Sequence, residues 1–316
     1  RWSRTCNAYW RGEDSEEDLD AVRADASRAL ELDPADRDAR ALLVHALLER
    51  AMRLHLQGAD PTPAFRDAQI QADRAIETDP TFSSFHALRA MLHEQQAITA
   101  SQSGQDAEPF WSAGLADADR AVELDPHRSG GWTIRVHLRV NRAKIALHEG
   151  RDPRPHAEAA LADLDRLLSA EPDAATTWST RADLRTCLGA ALRARGGDPT
   201  PEYQAAAADL DRAIGLDPAS MAERCRKGEL LRNWSVYDAR VGGDPLARLE
   251  AALAEYETAR ARKPDLELAQ VGAARVLSDI GHRLHDVGRD PAERYESALA
   301  RLDRLADGPR RVAQSA

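Results

Sequence analysis

Six prolines, Pro34, Pro80, Pro126, Pro172, Pro218 and Pro264, stand 46 residues apart. Gly12, Gly58, Gly104, Gly150, Gly196, Gly242 and Gly288 keep the same interval, each followed two residues on by an aspartate, from Asp14 to Asp290. A fixed period of this length marks an array of like supersecondary units, each burying its apolar face against the next. The prolines set the boundaries: a truncated first unit at 1–34, then 35–80, 81–126, 127–172, 173–218, 219–264 and 265–309, with a tail at 310–316. The seventh unit is one residue short, its proline falling at Pro309. At 43% hydrophobic but only 5% aromatic residues, the 316-residue chain has little with which to fill two compact cores, whereas closely packed helix pairs need small side chains.

Each full unit reads as two helices. Helix A starts two or three residues after the proline, at an N-cap such as Ser83, Ser129, Asp173, Ser220 or Asp265, and ends at the glycine, which adopts the left-handed C-terminal conformation at little cost. That makes it about 21 residues, or about 32 Å, long. Helix B starts near Gly-x-Asp-Pro, where proline is welcome in the first turn, and stops at the next Asp-Pro. In Asp60-Pro61-Thr62-Pro63 and Asp198-Pro199-Thr200-Pro201 either the Asp or the Thr can cap it.

These units resemble the tetratricopeptide repeat (TPR) family. The family's aromatic residue and the small one four later appear as Trp132/Val136 and Trp178/Ala182. Its helix-B alanine, five residues before the closing proline, appears as Ala29, Ala75, Ala121, Ala213 and Ala259, with Leu167 in the remaining unit, and Ala68, Ala160, Ala206 and Ala252 match its other small position. Helix A departs from the pattern, with Arg40, His86, Arg224 and Gln270 where the aromatic is expected. The resemblance implies an all-α, right-handed solenoid whose A helices line a concave face where partners lie. The long unit with its Asp-Pro-x-Pro turn is also similar to repeat regions found C-terminal to bacterial serine/threonine kinase domains.

The period exceeds the family's 34 residues by about 12, which divide into about 7 in helix A and about 5 between the glycine and the helix-B alanine. Adding a heptad keeps the same face inward. The tenth residue after each proline is small (Val44, Ala90, Val136, Ala182, Gly228, Ala274), and so is the seventeenth (Ala51, Ala97, Ala143, Gly189, Ser235, Gly281). Seven residues after each glycine stands a large apolar group (Leu19, Phe65, Trp111, Tyr203, Leu249, Tyr295), except at Ala157. The large group is expected to fill the contact that the second small position opens.

The polar columns have competing readings. Asp-x-Asp pairs at 117/119, 163/165 and 209/211 cannot chelate one ion from a helix, since residues two apart point about 200° from each other. They are read instead as i,i+3 partners, as in Asp117/Arg120, Asp163/Arg166 and Asp209/Arg212. Arg89, Arg135, Arg181 and Lys227, nine after their prolines, form a basic ladder. It is either a rail for an acidic peptide or the partner of helix-B aspartates, and the abundance of Asp on helix B favours the second. Eleven after each proline runs a row of changing character, His45, Met91, His137, Asp183, Glu229 and Arg275. A surface that reads a particular partner looks like this, and so does drift at unconstrained positions.

No glycine-rich phosphate loop, zincin motif or nucleophile elbow occurs, so catalysis is not expected and no cofactor or metal is implied. His282 and His285 are three apart, but nothing completes a metal site around them. The three cysteines, Cys6, Cys187 and Cys225, show no paired spacing, which points to a reducing, cytoplasmic setting. A net charge of -10 opposes a nucleic-acid or membrane surface as partner. The chain opens on Arg1-Trp2-Ser3 without an initiator methionine and reads as a piece of a larger bacterial protein. The expected function is a non-catalytic interaction scaffold that binds a protein or peptide along helix A; the alternative is a peptide-sensing or regulatory arm of an attached kinase or protease.

Overall fold

A computed structural model describes residues 16–302, which are helical throughout apart from their turns, with no strand among them. The helices are α1 (Glu16–Leu32), α2 (Arg37–Leu56), α3 (Thr62–Thr78), α4 (Ser83–Gln102), α5 (Glu108–Leu124), α6 (Ser129–His148), α7 (Arg154–Ala170), α8 (Ala175–Ala194), α9 (Thr200–Leu216), α10 (Met221–Val241), α11 (Pro245–Arg262), α12 (Glu267–Asp286) and α13, whose described part is 292–302. Even-numbered helices are the A helices, of 20 or 21 residues, and the complete odd-numbered ones are B helices of 17 or 18. Gly12, Asp14, Cys6 and Pro309 lie outside the described residues.

Two compact units divide between Arg142 and Ala143, inside α6. Each is a helical solenoid in miniature. A packs on its own B, as α2 on α3 and α4 on α5 in the first unit and α8 on α9 and α10 on α11 in the second. B then packs on the next A, as α3 on α4 and α9 on α10, and successive A helices touch, as α2 does α4 and α10 does α12.

Both turn types follow from residues that repeat. After each A helix the glycine has positive φ, between 69° and 81° at Gly58, Gly104, Gly150, Gly196, Gly242 and Gly288. No other residue takes a left-handed conformation there among those described. Two residues on, the aspartate carboxylate accepts the N–H of the second residue after it: Asp60 from Thr62, Asp106 from Glu108, Asp152 from Arg154, Asp198 from Thr200, Asp244 from Leu246 and Asp290 from Ala292, all within 3.1 Å. The aspartate, not the threonine, thus takes the bond at the start of helix B, but the capping positions at these two turns fall to Pro61 and Pro199. Among the B helices with a described cap, only at α11 does the aspartate, Asp244, itself hold it.

The Asp-Pro turn corrects the expected caps of helix A. Its aspartate makes the same bond to the residue after proline, as Asp33 does with Ala35 and Asp79 with Thr81. A backbone bond then closes the turn, from Asp36 N to Asp33 O and from Phe82 N to Asp79 O. The capping positions fall to Phe82, Ala174 and Leu266, with no side-chain cap, so Ser83 lies inside its helix and Asp173 and Asp265 stand one residue early. Ser220 holds its position, but its hydroxyl donates to Glu223 instead of receiving a backbone N–H. Among the A helices with a described cap, only α2 has a side-chain one, Asp36, which accepts from Asp38 and Ala39.

The close contact of A with B lies where the two columns predict it. Ala51, Ala97 and Ala143 are wholly buried, and Phe65, Trp111, Tyr203 and Leu249 are buried opposite this column. At Gly189 a β-carbon would run into the Tyr203 ring, and at Gly281 it would stand 2.6 Å from Tyr295. A second ring is seated the same way: Tyr256 of α11 lies between Gly228 of α10 and Gly272 of α12, at both of which a side chain would collide with it. Gly189→Ala should therefore destabilise the protein by about 1–3 kcal/mol through overpacking. Gly215→Ala, at a helical glycine with open space around it, should stabilise by up to about 1 kcal/mol. Denaturant midpoints of the two variants, moving in opposite directions, check the assignment.

Candidate partner-binding face

Six residues after each proline the A helix carries an N–H donor rather than an aromatic as such. Arg40 donates to the Pro34 carbonyl, Trp132 to Pro126, Trp178 to Pro172 and Gln270 to Pro264, while the His86 ring nitrogen Nε2 lies 3.0 Å from Pro80 O. Arg224 is the exception: its guanidinium pairs with Glu255, and Arg262 donates to Pro218 O in its stead. In five of these six positions the irregular column thus meets a carbonyl left over from the turn. Where the donor is tryptophan, its face also receives the next cation, with Arg135 4.6 Å over Trp132 and Arg181 4.5 Å over Trp178.

The basic ladder is consumed inside the fold. Arg89 takes Asp117 of its own B helix through two bonds of 2.8 and 2.7 Å and Asp73 of the preceding B helix through a third of 2.8 Å. Arg181 does the same with Asp209 and Asp165, and Lys227 with Glu255 and Asp211. Arg135 meets Asp119 at 2.8 Å. Hydrogen bonding to Asp117 and Asp73 holds the Arg89 guanidinium above its ordinary range against the opposing effect of burial. The ladder is therefore a set of ties across three helices, and the rail for an acidic peptide is not what these geometries provide. They also correct the reading of Asp-x-Asp. Asp117 and Asp209 turn inward to helix A, while Arg120 pairs with Glu123 and Arg212 with Asp173. Asp119 and Asp211, two residues on, face the next A helix, as their opposite orientation requires.

The varied row lies on the face where A helices meet. In the first unit His45 is half-buried, and its partial burial pushes its imidazole down to about 4. Met91 is half-buried against the core of α2–α4, and His137 is exposed. In the second unit Asp183 stands between Lys144 of α6 at 3.5 Å and Arg226 of α10 at 3.3 Å. Glu229 pairs with Arg232 at 3.2 Å and accepts the Tyr256 hydroxyl at 3.4 Å. Arg275 is exposed and borders a groove of 620 Å³ with Val271, Ser278 and Leu299. The two acids of the row are thus already neutralised by neighbours on the same face, and of the row only His137 and Arg275 are exposed.

A contact not evident in the sequence joins successive A helices in the same register in both units. Asn141 donates to Glu94 at 2.8 Å, and Arg232 donates to Asp279 at 2.7 Å. Glu94 is only 4% exposed, and burial pushes its carboxyl up to about 7. The remaining singular residues have ordinary packing roles. Cys187 and Cys225 are buried, burial pushing the Cys225 thiol up to about 11, and His282 meets the Tyr295 ring edge-on. Among the described residues no three His, Cys, Asp or Glu side chains converge as a metal site, and no helix is long and apolar enough to cross a membrane.

No protein-family model matches the chain, and comparison with curated proteins finds no relative. Solved structures are similar in fold. The S. pombe nuclear import adaptor Nro1 superposes with a TM-score of 0.55 at 12% identity, covering 84% of this chain and 92% of its own. A tetratricopeptide repeat protein from Parabacteroides merdae gives 0.49 at 12% identity, over 94% and 96% of the two chains. A thermophilic TPR protein of Thermus thermophilus gives 0.44 at 20% identity, over 74% and 99%. At such identities the likeness concerns the fold alone.

Two substitutions test the electrostatics. Arg181→Met should cost about 1–3 kcal/mol in chemical denaturation, because it strips two hydrogen bonds from the buried Asp209 and leaves it to the Arg185 guanidinium at 3.5 Å. Glu94 titrates higher in the folded than in the unfolded state, so it supports stability below the ordinary glutamate range and loses that support as pH rises through about 7. Between pH 5 and pH 8 the wild type should lose on the order of 3 kcal/mol relative to Glu94→Gln. Paired urea titrations of the two proteins at both pH values measure it.

Proposed function

We propose that this chain is a non-catalytic module that binds a protein or peptide partner along its A helices, as a repeat region of a larger bacterial protein in the cytoplasm. One observation carries the reading. The columns that build the stack are tightly restricted, small at the tenth and seventeenth positions and cationic where a residue bridges two B helices. Among them the row of His45, Met91, His137, Asp183, Glu229 and Arg275 changes its chemistry at almost every step. The fold likeness to an import adaptor is in keeping with this reading. A net charge of -10 and a ladder whose cations already hold carboxylates argue against a phosphate backbone as the ligand. Within this reading the chain serves as the binding arm of an effector, of which a serine/threonine kinase is the one its unit length resembles.

Photo-crosslinking tests the proposal. A benzophenone amino acid at His137 or Arg275, the two exposed positions of the row, should join a partner in lysate, while the same probe at Ala162, exposed on a B helix, should not. Arg275→Glu should then weaken the purified partner by about tenfold with an unchanged melt. Crosslinks at Ala162 alone, or at none of the three, would refute binding along helix A.

A further inference from the structure

In the first unit a groove of 420 Å³ opens between α3, the end of α4 and the start of α5, away from the A-helix row. It is lined by Phe65, Arg66, Ile70, Gln96, Gln105 and Phe110. At two other places in the chain the corresponding gap is spanned by an ion pair. One unit on, Arg142 reaches Glu108 at 2.5 Å, and between α11 and α13 Arg294 reaches Glu250 at 3.1 Å. Here Gln96 and Thr62 occupy the positions of the first pair, and Phe110 and Arg66 those of the second.

Three residues of the groove depart from their columns. Ile70, 43% exposed, stands where all six other units have alanine: Ala24, Ala116, Ala162, Ala208, Ala254 and Ala300. Phe110 stands where the others have Ala64 or a charged or histidine side chain. Arg66 is the one cation in a column otherwise acidic or neutral, and it makes no ion pair among the described residues. Asp60, the acid at the groove's end, already accepts the Thr62 N–H. The fold does not need these substitutions, since the other units stack without them. Where two other gaps carry an ion pair, this one is an open, largely apolar groove with an unanswered guanidinium on its rim.

We infer that this groove is a docking site for an extended peptide segment of a partner protein. That segment carries a large apolar side chain, seated between Ile70 and Phe110, and beside it a carboxylate that pairs with Arg66 as Arg294 pairs with Glu250, with the two charges exchanged. The amides of Gln96 and Gln105 face the peptide backbone. Guanidinium and carboxylate supply orientation, and the apolar pocket supplies the area. The site is independent of the A-helix row.

The 316-residue chain can be panned against a random short-peptide library displayed on phage. Selected peptides should share an aromatic or branched apolar residue with Asp or Glu within two positions. A synthetic selected peptide should bind at least about tenfold more weakly to Ile70→Ala and to the double variant Arg66→Glu/Phe110→Arg. Both variants install residues that other units carry, and the double one rebuilds the Glu250–Arg294 pair, so the melt should hold. If the double variant fails to fold, Ile70→Ala decides alone. Arg275→Glu, on the row, should leave the peptide's affinity unchanged. The inference fails if the peptides bind the groove variants as they bind the wild type, if they lack the acid, or if none is selected. It also fails if sedimentation shows the wild type dimerising and the double variant monomeric, since a second copy would then be the occupant.

Discussion

A ring on helix B can sit flat against helix A only where helix A has almost no side chain. Tyr203 on Gly189, Tyr295 on Gly281 and Tyr256 between Gly228 and Gly272 are the clearest instances, and Ala51, Ala97 and Ala143 are the wholly buried alanines of the same column. This steric limit brings the two helices of a unit close along their whole length, and it leaves little freedom at the facing positions. The freedom that remains is on the outer side of helix A and at the open ends of the grooves, where the two candidate surfaces lie.

Charge is used economically in the same frame. A cation on each of four A helices meets the aspartates of helix B, and two of those acids, Asp117 and Asp209, are buried with their partners. Such pairs add little net stability, because desolvation offsets most of their attraction, but a helix slipped by one residue would strand a buried carboxylate. They act on register more than on energy. The acids of the varied row are answered in turn by Lys144, Arg226 and Arg232.

The period, the two turns and the small-against-large columns could be read from the sequence because each repeats and each has a single steric meaning. Partner choice could not. Asp117 has Arg120 three residues along its own helix and Arg89 on a neighbouring one, and only the inward face of α5 decides for Arg89. Helix caps shifted by a residue for a comparable reason: the Asp-Pro carboxylate already serves the turn, so Ser83 is drawn into the helix. The A-helix row was visible as a pattern, but not that Asp183 and Glu229 come already paired. The groove beside Ile70 did carry a signal, an isoleucine in a column of alanines, and its meaning needed the ion pairs of the other units for comparison.

The turn before helix A asks of its sixth residue only a nitrogen-borne hydrogen at the right reach. Arginine, tryptophan and glutamine donate through it to the proline carbonyl, and a histidine ring nitrogen takes the same place. Such a position is conserved in function while free in shape, charge and size. Units can therefore diverge until their likeness to one another survives mainly in backbone geometry, and the array can vary its outer chemistry without disturbing the joints.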